Sequence, residues 1–294
     1  MTEYPAVGIT YNADIDQWTR DHLADFDVLE VTVDHCLERG STVRTGIFDF
    51  IGRIPLTAHG VGLSIGTDGP LDEAYLDRVA RTVEELGAPV YSEHLAFTRV
   101  PGQDLATLLP VPRTEAVAAS IIGKVRQIQS RIPVPFLLEN IACLFEWPES
   151  NLPEPDFLNL ICGETGAGLL LDAENLMLNS RNHEFDPQEF LDRLTPGMVK
   201  QVHLAGGMTM NDQPLTRPYH VDSHTHPVPD DVLDLLEHAL RRHAPANIII
   251  EREGRFDAIS ELLDDVARVR ARLAKSVGHW VGHAHGQSTA GSAG

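Results

Sequence analysis

One short segment of the sequence combines side chains that bind metal ions. The run VKQVHLAGG places His203 at the end of an apolar stretch, and the following loop, YHVDSHTHPVPDDV, adds Asp222 and His224. Residues two apart on extended backbone point to the same side, so the carboxylate of Asp222 and the imidazole of His224 can meet at one cation. The segment therefore predicts a metal site at a strand end and the loop behind it.

The same residue types recur where other apolar runs end. Singly, each has an ordinary explanation, because a histidine or carboxylate at a strand end often caps the strand or pairs with an arginine. Independent structural roles are not expected to recur at six successive strand ends, so the joint pattern favours shared metal ligands. The complete candidate set is His59, His94, Glu139, Asp172, Asn175, His203, Asp222, His224 and Glu251.

This set would bring four imidazoles and four carboxylates into one pocket. Buried carboxylates repel one another, and desolvation adds several kcal/mol for each unpaired charge unless cations neutralise them. The nine donor groups exceed the roughly four to six positions around one divalent ion, which implies about two or three cations with Glu139 as a bridge. Glu93 and Asn140, each adjacent to a ligand in the chain, are predicted to orient those ligands.

Four further polar residues have two interpretations that the sequence leaves open. Glu30, Asp34 and His35 surround the end of the second apolar run, where they either line the pocket or start a helix. His226 follows the predicted ligands of the long loop and either joins them or lies outside the metal shell.

Eight apolar runs alternate with amphipathic segments along most of the chain. Continuous apolar runs are typical of strands covered on both faces, as in a parallel sheet. Helix boundaries separate them, including Gly87 as a C-terminal cap, Thr114 as an N-terminal cap and Asp186 at a later start. We expect an α/β fold, a single-domain TIM (β/α)8 barrel over residues 1–277 with its active site where the strands end, and a flexible tail over residues 278–294. The runs are PAVGITY, DVLEVTV, IPLTAHG, APVYSEHLAF, VPFLLEN, GAGLLLDAEN, MVKQVHLAGG and ANIIIERE.

Composition disfavours several classes of protein. The formal net charge of −20 opposes binding to nucleic acid, because such proteins cluster Lys and Arg against phosphates. No run approaches the ~20 apolar residues of a membrane helix, and MTEYPAVGITYN lacks the parts of a signal peptide. Three cysteines without a C-x-x-C pair suit reduced thiols. We therefore expect a cytoplasmic protein that binds neither nucleic acid nor membrane.

The ordered set of motifs resembles the DUF692 family, the multinuclear non-haem iron-dependent oxidative enzymes. Its members include the iron enzymes of methanobactin and thiaglutamate biosynthesis. Two segments depart from the family pattern: VGITYN stands in place of a glycine-rich strand ending in arginine, and VTVDHC in place of a His-Ser-Glu-Asn run. Both are expected to face the substrate. The matching segments are HGVGLSIG, SEHLAF, LLPVPRTEAV, LLEN, GLLLDAEN, VHLAGG, DSHTHPVPDDV and IIIERE.

The resemblance implies a TIM-barrel oxidoreductase with two or three iron ions in mixed Fe(II)/Fe(III) states. Such enzymes use O2 to modify a ribosomally synthesised precursor peptide, usually at cysteine, and generally act with a small partner protein that recognises the leader of the peptide. By analogy, one metal would be held by His59, His94 and Glu139, a second by Glu139, Asp172, His203 and Glu251, and a third by Asn175, Asp222 and His224.

Two functions of other kinds also fit the residues. A metal-dependent hydrolase or isomerase on the same barrel would use zinc or manganese to activate water. A non-catalytic scaffold subunit of a peptide-modifying complex would bind metal without turnover. A nuclease is disfavoured by the acidic charge and by the lack of a basic, aromatic-rich segment.

Overall fold

Eight parallel strands close into a barrel in the computed structural model, which describes residues 4–100, 102–211 and 218–286. The first strand pairs with both the second and the eighth, so the barrel has no open edge. Each of the eight predicted strands is present, and the prediction of a TIM barrel is confirmed. The barrel strands are β1 (Ala6–Thr10), β2 (Val28–Thr32), β3 (Leu56–Gly60), β4 (Tyr91–His94), β5 (Phe136–Glu139), β6 (Gly168–Asp172), β7 (Val199–Leu204) and β8 (Asn247–Ile250).

Helices surround this barrel and begin and end largely where the sequence predicts. The Thr114 side chain accepts a hydrogen bond from Val117 N at 3.2 Å and caps its helix, while Gly87 ends the preceding one at a φ of 64°. A left-handed residue at this position satisfies the last carbonyls of the helix, and glycine adopts it without strain. The α-helices in the described part of the chain are α1 (Asp16–Asp21), α2 (Thr42–Phe48), α3 (Glu73–Leu86), α4 (Glu115–Arg131), α5 (Glu154–Thr165), α6 (Ala173–His183), α7 (Pro187–Arg193), α8 (Asp230–Leu240) and α9 (Glu261–Gly286).

Three differences from the predicted elements concern segments with weak periodicity. Two antiparallel hairpins occupy stretches predicted as loops: Ala96–Val100 pairs with Gln103–Pro110, and Met208–Met210 pairs with Tyr219–Val221. Gln103–Pro110 and Met208–Met210 are largely exposed, so their composition gives no apolar alternation to detect. Helix α6 begins directly after β6, where no helix was predicted.

The last helix is also longer than predicted. It continues to Gly286, past the expected end near Lys275, because residues 276–286 contain no proline to interrupt it. The rest of the predicted flexible tail, residues 287–294, lies outside the described residues. The domain division at residue 277 stays a prediction.

Alternation along the strands separates an apolar layer from a polar barrel interior. On β2, Leu29 and Val31 belong to the hydrophobic core between strands and helices, and each contributes roughly 2 kcal/mol through burial. Glu30 lies between them and faces inward, where it contacts side chains of three other strands. The outer layer therefore stabilises the barrel, and the interior is free to hold polar groups.

The three cysteines, Cys36, Cys143 and Cys162, are buried free thiols, as predicted. Burial raises the pKa of the Cys36 and Cys162 thiols to about 12. No helix among residues 4–100, 102–211 and 218–286 combines the length and apolar character needed to cross a membrane.

One buried histidine makes the stability of the barrel pH-dependent. His243 is 2% exposed between α8 and β8, and burial, with Arg242 and Lys200 nearby, lowers its pKa from 6.5 to about 4. The folded state favours the neutral ring, because the folded pKa lies below the unfolded one. The free energy of unfolding is therefore fully present above pH 6.5 and decreases as the pH falls toward 4. We expect His243→Gln to reduce the loss of unfolding free energy between pH 7 and pH 4.5 by about 2 kcal/mol. Urea unfolding at both pH values measures it, and equal losses in variant and wild type would contradict it.

Candidate metal centre

Two imidazoles and a carboxylate meet where β3, β4 and β5 end. Glu139 Oε2 lies 3.2 Å from His59 Nε2 and 3.4 Å from His94 Nε2. The opposite nitrogens are already engaged, since His94 Nδ1 donates to the Gly60 carbonyl at 3.1 Å and His59 Nδ1 lies 2.8 Å from Ser92 Oγ. The two Nε2 lone pairs therefore face the same carboxylate oxygen, as ligands of one cation would.

The second oxygen of Glu139 belongs to a neighbouring group. Glu139 Oε1 lies 3.3 Å from His203 Nδ1, which in turn lies 3.4 Å from Glu251 Oε2. Asp172 is the register partner of His203 on the adjacent strands β6 and β7. One carboxylate thus stands between two clusters of donors, which is the arrangement expected of a bridging ligand.

A third group lies nearer the solvent. Asp222 Oδ1 is 2.5 Å from His224 Nε2, and His224 Nδ1 is 3.5 Å from Glu251 Oε2. The Asp222 side chain is 26% exposed, whereas His203 is fully buried. The predicted pair does converge, but not on extended backbone, because His224 adopts a left-handed φ of 48°. The turn at His224, rather than strand alternation, brings its ring to Asp222.

Two glycines allow this loop to return to the barrel mouth. A Cβ at Gly206 would lie 2.3 Å from the His226 carbonyl, and one at Gly207 would lie 2.7 Å from Glu174 Oε1. Gly206 O accepts hydrogen bonds from the backbone N of Thr225 and His226, each at 3.1 Å. The AGG segment after β7 therefore holds the loop at a distance that only glycine permits.

The end of β6 and the start of α6 fix two further candidate ligands. Asp172 Oδ1 accepts from Asn175 N at 2.7 Å and caps α6, which leaves Oδ2 without a hydrogen-bond partner. Asn175 Nδ2 donates to the Asn140 carbonyl at 3.3 Å, so its Oδ1 remains free. Asn140 also exchanges two hydrogen bonds with the Asp172 backbone, at 2.9 and 3.0 Å. Its predicted orienting role stays a prediction, and these contacts support it.

Glu93 faces away from the centre. Its carboxylate accepts from Tyr91 Oη at 3.0 Å and Leu63 N at 3.3 Å, on the outer side of the barrel. Burial, reinforced by Asp34, raises its pKa well above the usual value. The carboxyl thereby anchors the loop after β3, whose Gly60 carbonyl holds His94. Glu93 Oε1 also accepts from His94 N at 3.2 Å, and its predicted orienting role stays a prediction.

The residues left open in the sequence divide between the centre and its surroundings. Glu30 lies inside the barrel with Oε1 2.6 Å from His203 Nε2, and its clue in the sequence was a lone charge within an apolar run. Asp34 accepts from Val61 N at 2.9 Å on the outer side. Glu30, His203 and Glu251 lie close enough together to form a potential ligand group of their own. His35 is exposed, and His226 lies 2.9 Å from Thr225 Oγ1, so neither belongs to a potential ligand group among the described residues.

Tyr11 belongs to the first of the two segments that depart from the family pattern, and its side chain lies on the outer layer of the barrel. Tyr11 is 5% exposed and packs edge-on against Phe50 at 5.6 Å, while its hydroxyl donates to Asp16. Thr10, in the same segment, lies inside the barrel and donates to Glu251 Oε1 at 3.2 Å, so the expectation that the segment faces the substrate stays a prediction.

Unpartnered polar atoms mark where cations fit this centre. A buried donor or acceptor without a partner costs about 1–3 kcal/mol, and several occur here together. Burial and Asp222 raise the pKa of Asp172 well above its usual value, whereas for Glu139 burial is outweighed by His94, His59 and His203 and the pKa falls to about 2. A bound cation would favour the charged form of both carboxyls. The buried atoms that have ion-pair neighbours at most, and no hydrogen-bond partner, include Glu139 Oε2, Asp172 Oδ2, Asn175 Oδ1, His203 Nδ1, His203 Nε2, Asp222 Oδ1, His224 Nδ1 and His224 Nε2.

Comparison with known proteins identifies the family. Residues 6–274 match the family described as RiPP precursor modification enzyme MbnB/TglH/ChrH, where RiPP denotes a ribosomally synthesised and post-translationally modified peptide. The chain belongs to this family. The MbnB/TglH/ChrH match spans most of the barrel and confirms the resemblance drawn from the motifs.

Relatives of this member of the MbnB/TglH/ChrH family carry the name UPF0276 protein. One from Streptomyces avermitilis is 37% identical over 230 residues, which cover 76% of this chain and 46% of that relative, so the chain matches about half of its length. One from Bordetella parapertussis is 32% identical over 253 residues, covering 86% of this chain and 87% of the relative.

Solved structures share the fold of this family member. An L-ribulose 3-epimerase aligns with a TM-score of 0.58 at 14% identity, covering 98% of this chain and all of that one. The 3-keto-D-glucoside 4-epimerase of E. coli aligns with a TM-score of 0.59 at 16% identity, covering 91% of this chain and 99% of that one. These likenesses show the barrel alone.

Proposed function

We propose that this family member is a cytoplasmic non-haem iron oxidoreductase that uses O2 to modify a cysteine-type residue of a precursor peptide. The observation that carries the proposal is the position of Glu139. Its Oε2 faces the imidazoles of His59 and His94 while its Oε1 faces His203, so one buried carboxylate joins two donor groups. A multinuclear centre requires such a bridge, and the membership of the family supplies the peptide substrate.

The side chains of the centre are of the types that bind iron. Iron ions in mixed Fe(II)/Fe(III) states would remove electrons from the substrate in one-electron steps and pass them to O2, the terminal oxidant. Imidazole and carboxylate ligands, with an amide oxygen, fit such ions and leave positions open for a soft thiolate. The proposed ligand sets are His59, His94 and Glu139; Glu139, Asp172, His203 and Glu251; and Asn175, Asp222 and His224.

Burial within the centre indicates where a substrate enters. His203 and Asp172 are fully buried, whereas the side chains of His94, His224 and Asp222 are 13%, 12% and 26% exposed. The cysteine side chain would therefore approach from the side of the long loop after β7. Asn140 accepts from Asp172 N, and Asn175 Nδ2 donates to the Asn140 carbonyl, so both would keep the ligands in place while the substrate binds.

Exposed apolar side chains lie on loops that leave the carboxyl ends of β5 and β7. Leu144 is 59% exposed and Phe145 38%, and Met208 and Met210 on the second hairpin are 44% and 43% exposed. Flexible methionines and an accessible aromatic ring suit a peptide surface of variable shape. We propose that the precursor peptide lies across these loops, with its leader held by a small partner protein.

The experiment is product formation under defined metal and gas conditions. The protein is purified anaerobically, its elements are measured, and it is mixed with a short cysteine-containing peptide. We expect iron, visible absorption and an oxidative mass change that requires air. Undiminished product under argon would remove the proposed oxidation. Colourless zinc-loaded protein that hydrolyses or isomerises a substrate would favour the metal-dependent hydrolase or isomerase instead.

A further inference from the structure

The imidazole of His203 differs from the other two on the barrel strands in what lies behind it. His94 Nδ1 donates to a backbone carbonyl, and His59 Nδ1 contacts the hydroxyl of Ser92, so both have neutral partners. His203 Nε2 instead lies 2.6 Å from Glu30 Oε1, an ion-pair contact between two fully buried side chains. The carboxylate stands on the side of the ring opposite Nδ1, the atom that faces Glu139 and Glu251.

The position of Glu30 is fixed by donors from three other strands. Thr10 Oγ1 donates to Oε1 at 3.5 Å, Thr57 Oγ1 donates to Oε2 at 3.4 Å, and Gln201 Nε2 also donates to Oε2. Asn247 Nδ2 donates to Gln201 Oε1 at 3.2 Å, which determines how the amide of Gln201 is turned. A row of polar contacts therefore runs through the barrel interior from Asn247 to His203. It holds the carboxylate against the ring.

We propose that Glu30 is a positioning residue of the metal centre, which keeps the His203 proton on Nε2 and so presents Nδ1 to the cation shared by Glu139, Asp172 and Glu251. The inference rests on the proposed metal centre. A carboxylate behind a ligating imidazole fixes its tautomer and makes it a stronger donor, and removing such a partner typically costs about 10- to 100-fold in metal affinity. His59 and His94 have neutral partners behind their rings, so the negative charge of their ligand group comes from Glu139.

Exchanging two side chains tests whether the position of the negative charge matters while the net charge stays the same. The double variant Glu30→Gln with Gln201→Glu keeps net charge, volume and the count of donors and acceptors along the row. The amide introduced at position 30 can still donate to position 201 and accept from His203, and Asn247 can still donate to the new carboxylate. The only change is that the negative charge moves from position 30, behind His203, to position 201.

Zn²⁺ alone is the probe, titrated into metal-free protein against a fluorescent chelator. We expect one of the bound cations to weaken by about 10- to 100-fold in the exchange variant and the others to keep their affinity within about threefold. Thr57→Val is the comparison variant, since it removes one donor to Glu30 and leaves the charge in place; its affinities should fall less than those of the exchange variant. Thermal unfolding of the metal-free proteins checks that each variant folds.

Equal Zn²⁺ affinities in the exchange variant and the wild type would overturn the inference. An equal loss in Thr57→Val would also overturn it, because packing rather than charge would then be responsible. Wild-type protein that binds no Zn²⁺ tightly would remove the inference and the metal centre together. If the Zn²⁺ results hold but iron-loaded protein never oxidises the peptide, the proposed function fails and the role of Glu30 stands.

Discussion

Replacing Glu139 with Gln is expected to strip cations from the centre and to lower peptide oxidation by at least about 1000-fold. The substitution keeps the volume but removes the charge that faces His59 and His94 on one side and His203 on the other. Loss of an outer contact alone costs about 10- to 100-fold in affinity, so loss of a ligand shared by two cations costs more. Element analysis and the rate of peptide product formation measure the two effects.

The matched control for Glu139→Gln is Glu154→Gln. Glu154 is a carboxyl at the start of α5 whose pKa is raised to about 6 by burial, with Arg113 opposing the shift, and it belongs to none of the ligand groups. We expect this variant to keep its cations and its activity. Full metal content in Glu139→Gln would contradict the bridging role. Loss of the metals with undiminished product would show that the cations do not take part in the chemistry, as a scaffold would behave.

Loading the metal-free protein with cations is expected to raise its melting temperature by about 10 °C. Glu139, Asp172 and Glu251 are buried together, and Glu139 Oε2 and Asp172 Oδ2 have no hydrogen-bond partner until a cation binds. A ligand present at about 1000 times its dissociation constant stabilises the folded state by about 4 kcal/mol, and each kcal/mol shifts the midpoint by about 2–4 °C in a chain of this size. Differential scanning calorimetry with and without Zn²⁺ or Fe(II) measures the shift.

Two variants show whether this stabilisation comes from the proposed centre. Glu139→Gln should lose most of the shift, and Asp222→Asn should lose only the part that belongs to the outer group. A chelator should return the wild type to its metal-free midpoint. Equal midpoints with and without cations, or a full shift in Glu139→Gln, would mean that the cations bind elsewhere or bind the unfolded chain as well.

Local sequence was enough to find the barrel and most of the site. Strands that are covered on both faces must be apolar throughout, so a polar residue that closes such a run is conspicuous. His59, His94, Glu139, Asp172 and His203 each close one, and the topology of a parallel barrel brings those ends to one mouth. The fold and these five candidates therefore follow from residue type and position along the chain.

Other features depended on contacts between distant parts of the chain. Asp222 and His224 meet because a left-handed turn and two glycines fold their loop back on β7, which strand spacing does not foretell. Helix α6 was missed although Asp172 caps it, since the same side chain also ends a strand. Local patterns identify which residues are polar. The conformation of a loop depends on the residues that it packs against, which local patterns do not identify.

The face on which a polar side chain lies was decided by the tertiary structure alone. Glu30 and Glu93 are both buried carboxyls on barrel strands, yet Glu30 points inward to His203 and Glu93 points outward to Tyr91. Alternation along a strand gives two faces without saying which becomes the interior, and here both faces hold buried polar groups. The sequence indicated that potential metal ligands gather at the strand ends. Closure of the barrel determined which carboxylates reach the candidate ligands, because only closure sets the side to which each residue turns.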